Sequence, residues 1–263
     1  DRTPGDSKEM VCKAVHDDAF KKAPEVRNNC VRVYYDAGYH VDIPVYRTMA
    51  GPDGTESQEL ASTEWRESDP SAVTKWFTET NLAKSPDATN GRQFRRVTRL
   101  LKGFARSRSS WKGRIATGFM ITKLLEEQYQ PFADREDEAV YEAMRRIHAR
   151  LQYNLEVDHP VIAGEKLTSG PDDATTRFLR EELEQALNDL AVLFDAECST
   201  GDARKAWDKV FATDFFTKQG DGGGDGDGGG SGGGGKGMAA AALIKGGKEV
   251  SDAVDKRGGG RYA

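Results

Sequence analysis

Asp42 is the residue in this sequence that most suggests catalysis. It is a lone carboxylate within an otherwise apolar and aromatic run, His40 to Tyr46. An aspartate is unfavourable in a β-strand, and burying it without a partner is costly. Two interpretations follow: Asp42 is a metal ligand held rigidly by a strand, or it pairs with a neighbouring arginine, Arg32 or Arg47. The spacing alone does not separate them.

A second candidate for chemistry is the segment from Gly91 to Leu125, which contains no Asp or Glu. Its ten basic residues are Arg92, Arg95, Arg96, Arg99, Lys102, Arg106, Arg108, Lys112, Arg114 and Lys123. The whole chain has a net charge of -5, so the remaining 28 basic and 43 acidic residues carry -15. This segregation of charge predicts a localised anion site.

Helical spacing divides the first part of this segment into two faces. The apolar face holds Phe94, Val97, Leu100, Leu101 and Phe104, and the basic face holds Arg92, Arg95, Arg99, Lys102 and Arg106. A solvated surface is one interpretation of the basic face, but such surfaces usually interleave Glu with Lys and Arg. The pattern favours contact with a polyphosphate or a nucleic acid. Trp111 is the only aromatic residue close by, which disfavours stacking on single-stranded bases.

The elements that must position these residues change in type along the chain. The first part predicts a helix over Met10–Phe20, a β-hairpin of Cys30–Tyr35 and Tyr39–Tyr46 around the turn Asp36-Ala37-Gly38, and a loop over Thr48–Thr63. The second part predicts helices over Pro70–Asn81, Gly91–Arg108, Ala116–Tyr129, Glu136–Leu151 and Ala174–Glu197. The predicted fold class is α+β, a sheet followed by a helical bundle.

Composition sets further limits on the 263-residue chain. Of its 29 glycines, 18 lie between Gly220 and Gly260, which predicts a flexible tail over residues 217–263. Three cysteines without a CxxC pair support neither a disulfide framework nor a zinc site. The longest apolar run, Met238 to Ile244, is too short to span a membrane. We therefore expect a cytoplasmic protein without a membrane partner.

Several stretches resemble the bacterial cGAS/DncV-like nucleotidyltransferases, which make cyclic oligonucleotides in anti-phage defence. They are Asn29 to Val33, Tyr39 to Tyr46, Asp69-Pro70 with Trp76-Phe77, Phe94 to Lys102 and His159 to Ile162. The resemblance covers most of residues 10–216. It implies that residues 1–68 are the C-terminal portion of a polymerase-β-type nucleotidyltransferase core and that 69–216 form an oligoadenylate-synthase-like helical domain.

The resemblance also implies roles for individual residues. Asp42 is expected to be the third carboxylate of a site for two Mg²⁺ ions and to help deprotonate the attacking hydroxyl. Lys102 is expected on the donor triphosphate, of ATP or GTP, with Thr117 as a further phosphate contact. Arg95 and Arg99 join them as nucleotide-binding candidates from their place on the basic face. The terminus, from Gly258 to Ala263, resembles tails that a ubiquitin-ligation-like partner conjugates, so Ala263 is the expected conjugation site.

One departure from the family qualifies these expectations. The Gly-Ser motif and the paired Asp-x-Asp that supply the other metal ligands are absent, so we expect a chain that lacks its N-terminal part and an incomplete two-metal site. Two other functions stay open. One is a non-catalytic module that binds RNA or DNA through residues 91–114, although a nucleic-acid partner is the lesser expectation. The other is a linear, template-independent nucleotide polymerase.

Overall fold

A computed structural model describes residues 2–18, 20, 22–51, 54 and 56–219 of the chain. It confirms the α+β prediction, with strands in the first part and helices in the second. The described residues divide into two compact units, one up to Lys75 and one from Trp76 onwards. The domain limits expected at residues 68 and 216 stay predictions, and the tail beyond Gln219 lies outside the described residues.

The first unit contains one helix before two three-stranded antiparallel sheets. Helix α1 is Pro4–Ala14, and the strands are β1 (Lys22–Val26), β2 (Val31–Tyr34), β3 (His40–Ile43), β4 (Tyr46–Ala50), β5 (Glu56–Ala61) and β6 (Trp65–Glu67). One sheet has the order β1-β2-β3 and the other β4-β5-β6. Pairing of Val33 with Val41 and of Arg32 with Asp42 sets the register of the predicted hairpin.

The helix expected over Met10–Phe20 is wrong at both ends: α1 begins at Pro4 and ends at Ala14. It begins earlier because its start signal lies upstream of the apolar pattern. Thr3 and Asp6 form a capping box, and Pro4 occupies the first turn. On its inner face the Lys8 side chain is buried. Its ammonium donates hydrogen bonds to the carbonyls of Arg27, Asn28 and Ser62, at 3.3, 2.6 and 2.8 Å.

Two further predictions in this unit were wrong. The second hairpin strand ends at Ile43 rather than at Tyr46, which instead begins β4 in the other sheet. The expected loop over Thr48–Thr63 contains most of β4 and all of β5. Both strands are largely exposed and polar, so they lack the alternating apolar pattern that identifies a half-buried strand.

The second unit is helical throughout, apart from its connections and one isolated bridge. Its helices are α2 (Pro70–Lys84, which starts in the first unit), α3 (Gln93–Arg106), α4 (Gly118–Gln128), α5 (Glu136–Tyr153), α6 (Ala174–Asp189), α7 (Thr200–Phe211) and α8 (Phe215–Lys218). The helix predicted over Ala174–Glu197 ends at Asp189, and a 3₁₀ turn, Ala191–Phe194, follows it.

The core of this unit confirms the apolar face predicted for α3. Phe94, Val97, Leu101 and Phe104 are almost completely buried and pack in one cluster with side chains of α4 to α7. Burial of these four side chains is worth about 1.5–3 kcal/mol each. The opposite face of α3 is thereby fixed toward solvent.

Candidate functional site

Asp42 lies on β3, directly opposite Arg32 on β2. The guanidinium binds both carboxylate oxygens, with Nε–Oδ1 at 2.6 Å and Nη2–Oδ2 at 2.9 Å. Arg47, the other candidate partner, binds Glu59 instead and lies over the Trp65 ring. Of the two interpretations of Asp42, the ion pair is therefore the one that the structure contains, and its partner is Arg32.

Cys30, just before β2, completes the surroundings of Asp42. Hydrogen bonding from Arg32 is the main reason that the pKa of Asp42 lies below its usual range. Partial burial and the adjacent Asp42 raise the pKa of the Cys30 thiol. Asp42 is thus held ionised beside a protonated thiol, and its two oxygens already have a cationic partner.

This arrangement does not fit two magnesium ions. Within the described ranges, no three His, Cys, Asp or Glu side chains are grouped closely enough to hold a metal. Asp42 is a single carboxylate that already shares both oxygens with a guanidinium. Mg²⁺ requires near-octahedral oxygen coordination, which one occupied carboxylate does not supply. The role of Asp42 as a metal ligand stays a prediction.

The basic segment divides into bound and open side chains. Arg96 bridges Glu136 at 2.5 Å and Asp87 at 2.9 Å, both outside the acid-free segment. Arg92, expected on the basic face, occupies the N-cap position of α3 and donates to the Asp87 carbonyl. Partners from other elements therefore neutralise or anchor part of a charge cluster that has no carboxylate of its own.

Other members of the segment are also held in place. Arg108 donates to the carbonyls of Lys209 and Val210, and Lys123 pairs with Glu126. Trp111 is 5% exposed and packs against Phe104 in the core. Trp111 is consequently not available for bases to stack on.

The open side chains form a straight row on α3. Arg95, Arg99 and Arg106 are exposed, Lys102 lies between them half-buried, and over the described part of the chain none of the four has a carboxylate within salt-bridge distance. Spacings of four, three and four residues keep them on one face. We call these four residues the arginine stripe. The Arg95 guanidinium also lies 5.5 Å from the centre of the Phe77 ring.

Lys102 connects the stripe to the start of α4. An added Cβ on Gly118 would lie 3.2 Å from Lys102 Cε, so the lysine stem passes directly over this glycine. Thr117 is the N-cap of α4, and its exposed hydroxyl accepts from the Met120 amide at 3.3 Å. Burial, and secondarily the charge of Arg106, lowers the pKa of Lys102. A bound anion would reverse that shift.

Thus the structure brings Lys102 and Thr117 together through Gly118. Gly118 was not assigned a role from the sequence, although a Thr-Gly pair before a helix was a usable signal. Phe119, the next residue, was also missed. Its ring contacts Trp76 and His159 edge-on, with centroids 6.3 and 5.4 Å apart.

The nucleotide-binding roles expected for Arg95 and Arg99 stay predictions. Along α3, Arg99 lies about one helical turn from Lys102 and Arg95 about two turns, or about 10 Å. Ala263 lies outside the described residues. Among residues that the structure describes, no helix combines the length and the apolar character needed to cross a membrane.

Comparison with known proteins agrees with the resemblance seen in the sequence. Residues 1–46 match the family model described as the nucleotidyltransferase domain of cyclic GMP-AMP synthase DncV-like proteins. The Vibrio cholerae DncV cyclic AMP-GMP synthase in complex with the linear intermediate 5′-pppA(3′,5′)pG is similar, with a TM-score of 0.55 and 18% identity. That match covers 77% of this chain and 54% of DncV.

Other states of DncV give the same result. The GTP-bound form has a TM-score of 0.55 at 18% identity over 78% of this chain, and the apo form 0.55 at 19% over 78%. These matches cover 54% and 53% of DncV, so the chain spans about half the length of the solved structures it matches. The fold is that of a DncV-like nucleotidyltransferase, which confirms the family resemblance and the expected fold class.

Proposed function

We propose that this chain acts in nucleotidyl transfer, as part of the synthesis of a cyclic di- or trinucleotide signal in anti-phage defence. The observation that carries the proposal is the position of Lys102 over Gly118, beside the Thr117 N-cap. An ammonium and a helix N-terminus at one place suit the phosphates of ATP or GTP. The DncV structures with GTP and with a linear intermediate support the choice of ligand.

In the proposed reaction, a ribose hydroxyl attacks the α-phosphate of a triphosphate and pyrophosphate leaves. Negative charge then accumulates on the departing phosphates. Lys102 would stabilise that charge, and its partly buried environment would strengthen the interaction. Thr117 would orient the same phosphates through its hydroxyl. The expected Mg²⁺ ions enter no step here, because the described carboxylates do not fit them.

The test of the site is nucleotide binding, measured by calorimetry with ATP and GTP on the whole chain. Lys102→Met should weaken binding by about 10- to 100-fold, the range for losing a charged hydrogen bond. Lys112→Met is the matched control, since Lys112 is an exposed lysine of the same acid-free segment. Equal affinities for the two variants would remove Lys102 from the proposal.

Product analysis distinguishes the reaction from its alternatives. Incubation of the full-length protein with ATP, GTP and a divalent cation should give a short, phosphatase-resistant product. Asp42→Asn removes the carboxylate that the family resemblance implies for catalysis, and it should abolish that product. A ladder of long products would indicate a linear polymerase instead. Activity that survives Asp42→Asn in full would exclude this carboxylate from catalysis.

Two further parts of the proposal concern the surroundings of the chain. We expect it to act in the cytoplasm, where triphosphates are abundant. The glycine-rich tail is proposed to present Ala263 to a ubiquitin-ligation-like partner, because the tail resembles conjugated tails of this family. Removal of residues 258–263 should abolish covalent adducts, which denaturing electrophoresis detects. Adducts that persist after the deletion would disprove this role.

A further inference from the structure

We propose that the arginine stripe binds a nucleic-acid strand through its phosphates, as a second ligand beside the nucleoside triphosphate. Three of its members, Arg95, Arg99 and Arg106, are exposed guanidinium groups without a carboxylate partner in the part of the chain that is described. Several arginines elsewhere on the helical unit are paired with a carboxylate, such as Arg145 with Glu142 and Arg177 with Asp172. The stripe is therefore an unneutralised surface, not the usual mixed one.

The length of the stripe exceeds the requirement of one triphosphate. From Arg95 to Arg106 the helix rises about 17 Å, and Lys102 occupies only one position in this row. A triphosphate held at Lys102 and Thr117 would leave Arg95 about 10 Å away along the axis. A ligand with phosphates at repeated intervals would engage the whole row at once.

Other polyanions fit this surface less well. A helix that inserts into a membrane surface needs an exposed apolar face, and the apolar face of α3 is buried in the core. The planar fork of arginine binds phosphate oxygens in pairs, which favours phosphodiesters over scattered carboxylates. Because Trp111 is buried, bases cannot stack on its ring. Recognition would thus be of the backbone and independent of sequence.

Charge elsewhere on the chain would restrict where the strand lies. Outside residues 91–125 the chain carries -15, which repels a polyanion. Attraction is concentrated on the α3 face. We expect a dissociation constant in the range of about 10⁻⁴ to 10⁻⁶ M at physiological salt, typical of contacts to phosphates alone.

The experiment measures fluorescence anisotropy of labelled RNA and DNA oligonucleotides of two unrelated sequences, on the full chain and at several salt concentrations. The double variant Arg95→Gln/Arg99→Gln is compared with Arg145→Gln/Arg177→Gln, which removes the same charge from paired arginines. We expect the first variant to lose at least about tenfold in affinity and to reduce the salt slope by about 2, one per arginine. The control variant should bind as the unmodified chain does.

Several results would overturn the proposal. They are equal losses in the two double variants, no binding even at low salt, or a strong preference for one sequence. Anionic phospholipid vesicles and polyglutamate serve as competitors, and displacement at equal charge concentration would assign the stripe to another class of partner. ATP that displaces the oligonucleotide completely from the unmodified chain, but not from Lys102→Met, would show that both ligands compete for one triphosphate site. Oligonucleotide binding that survives Lys102→Met while ATP binding is lost would separate this ligand from the proposed function.

Discussion

The two units differ in whether their charged candidate site residues have a partner of opposite charge. In the first unit, Asp42 is bound on both oxygens by Arg32, across one rung of a β-ladder. In the second, Arg95, Arg99 and Arg106 extend from α3 without a carboxylate partner among the described residues. A paired charge contributes mainly to holding strands together, whereas an unpaired charge is available to a ligand. The difference makes the helical unit the stronger candidate for anion binding.

The largest expected effect is on the free energy of unfolding and concerns α3. This helix carries a paired arginine, Arg96, and an unpaired one, Arg99, three residues apart. Arg96→Met leaves Asp87 and Glu136 without their shared cation, and we expect the free energy of unfolding to fall by about 2–3 kcal/mol. Arg99→Met removes an exposed, unpaired arginine and should change it by less than about 0.5 kcal/mol. Urea titration of both variants measures the contrast. Similar losses would mean that Arg99 has a structural role.

A smaller effect is expected from the Arg32–Asp42 pair. A cycle of Arg32→Gln, Asp42→Asn and the double variant should give a coupling free energy of about 1 kcal/mol at pH 7. Because the pKa of Asp42 is lowered in the folded chain, this stabilisation is present above the unfolded pKa. It should disappear as the pH falls through the folded pKa. A coupling near zero at pH 7 would show that Asp42 is free to take another partner.

The smallest effect concerns the glycine under Lys102. Gly118→Ala should lower ATP affinity severalfold, because the new methyl group displaces the Lys102 stem, while stability stays the same or rises. Gly103→Ala is the control, since its Cβ would enter open space on α3. It should add about 0.5–1 kcal/mol of stability without changing affinity. The proposal for Lys102 fails if both glycine variants bind ATP alike.

Sequence alone could predict those features that local pattern determines. Helical periodicity located α3 and its core face, since Phe94 and Phe104 belong to one repeating apolar stripe. The hairpin that carries Asp42 followed from two strand-like runs around a Gly38 turn. β4 and β5 were missed because exposed strands carry no apolar alternation.

Partners distant in sequence were beyond such reasoning. The segment around Arg96 contains no acid, and its neutralising groups, Asp87 and Glu136, come from other elements. Arg32 was one of two candidate partners of Asp42, and only the strand register distinguishes it from Arg47. Thr117 and Lys102 were both identified, but their closeness depends on helix packing at Gly118.

Lys8 links two connections of the first unit that are far apart in the sequence. Its ammonium binds carbonyls in the connection after β1 and, through Ser62, in the connection after β5. The family model ends its match at residue 46, before Ser62. A fragment cut at that point would lose one carbonyl ligand of a buried cation. The segment that the family model matches is consequently shorter than the smallest piece that supplies all three carbonyl partners of Lys8.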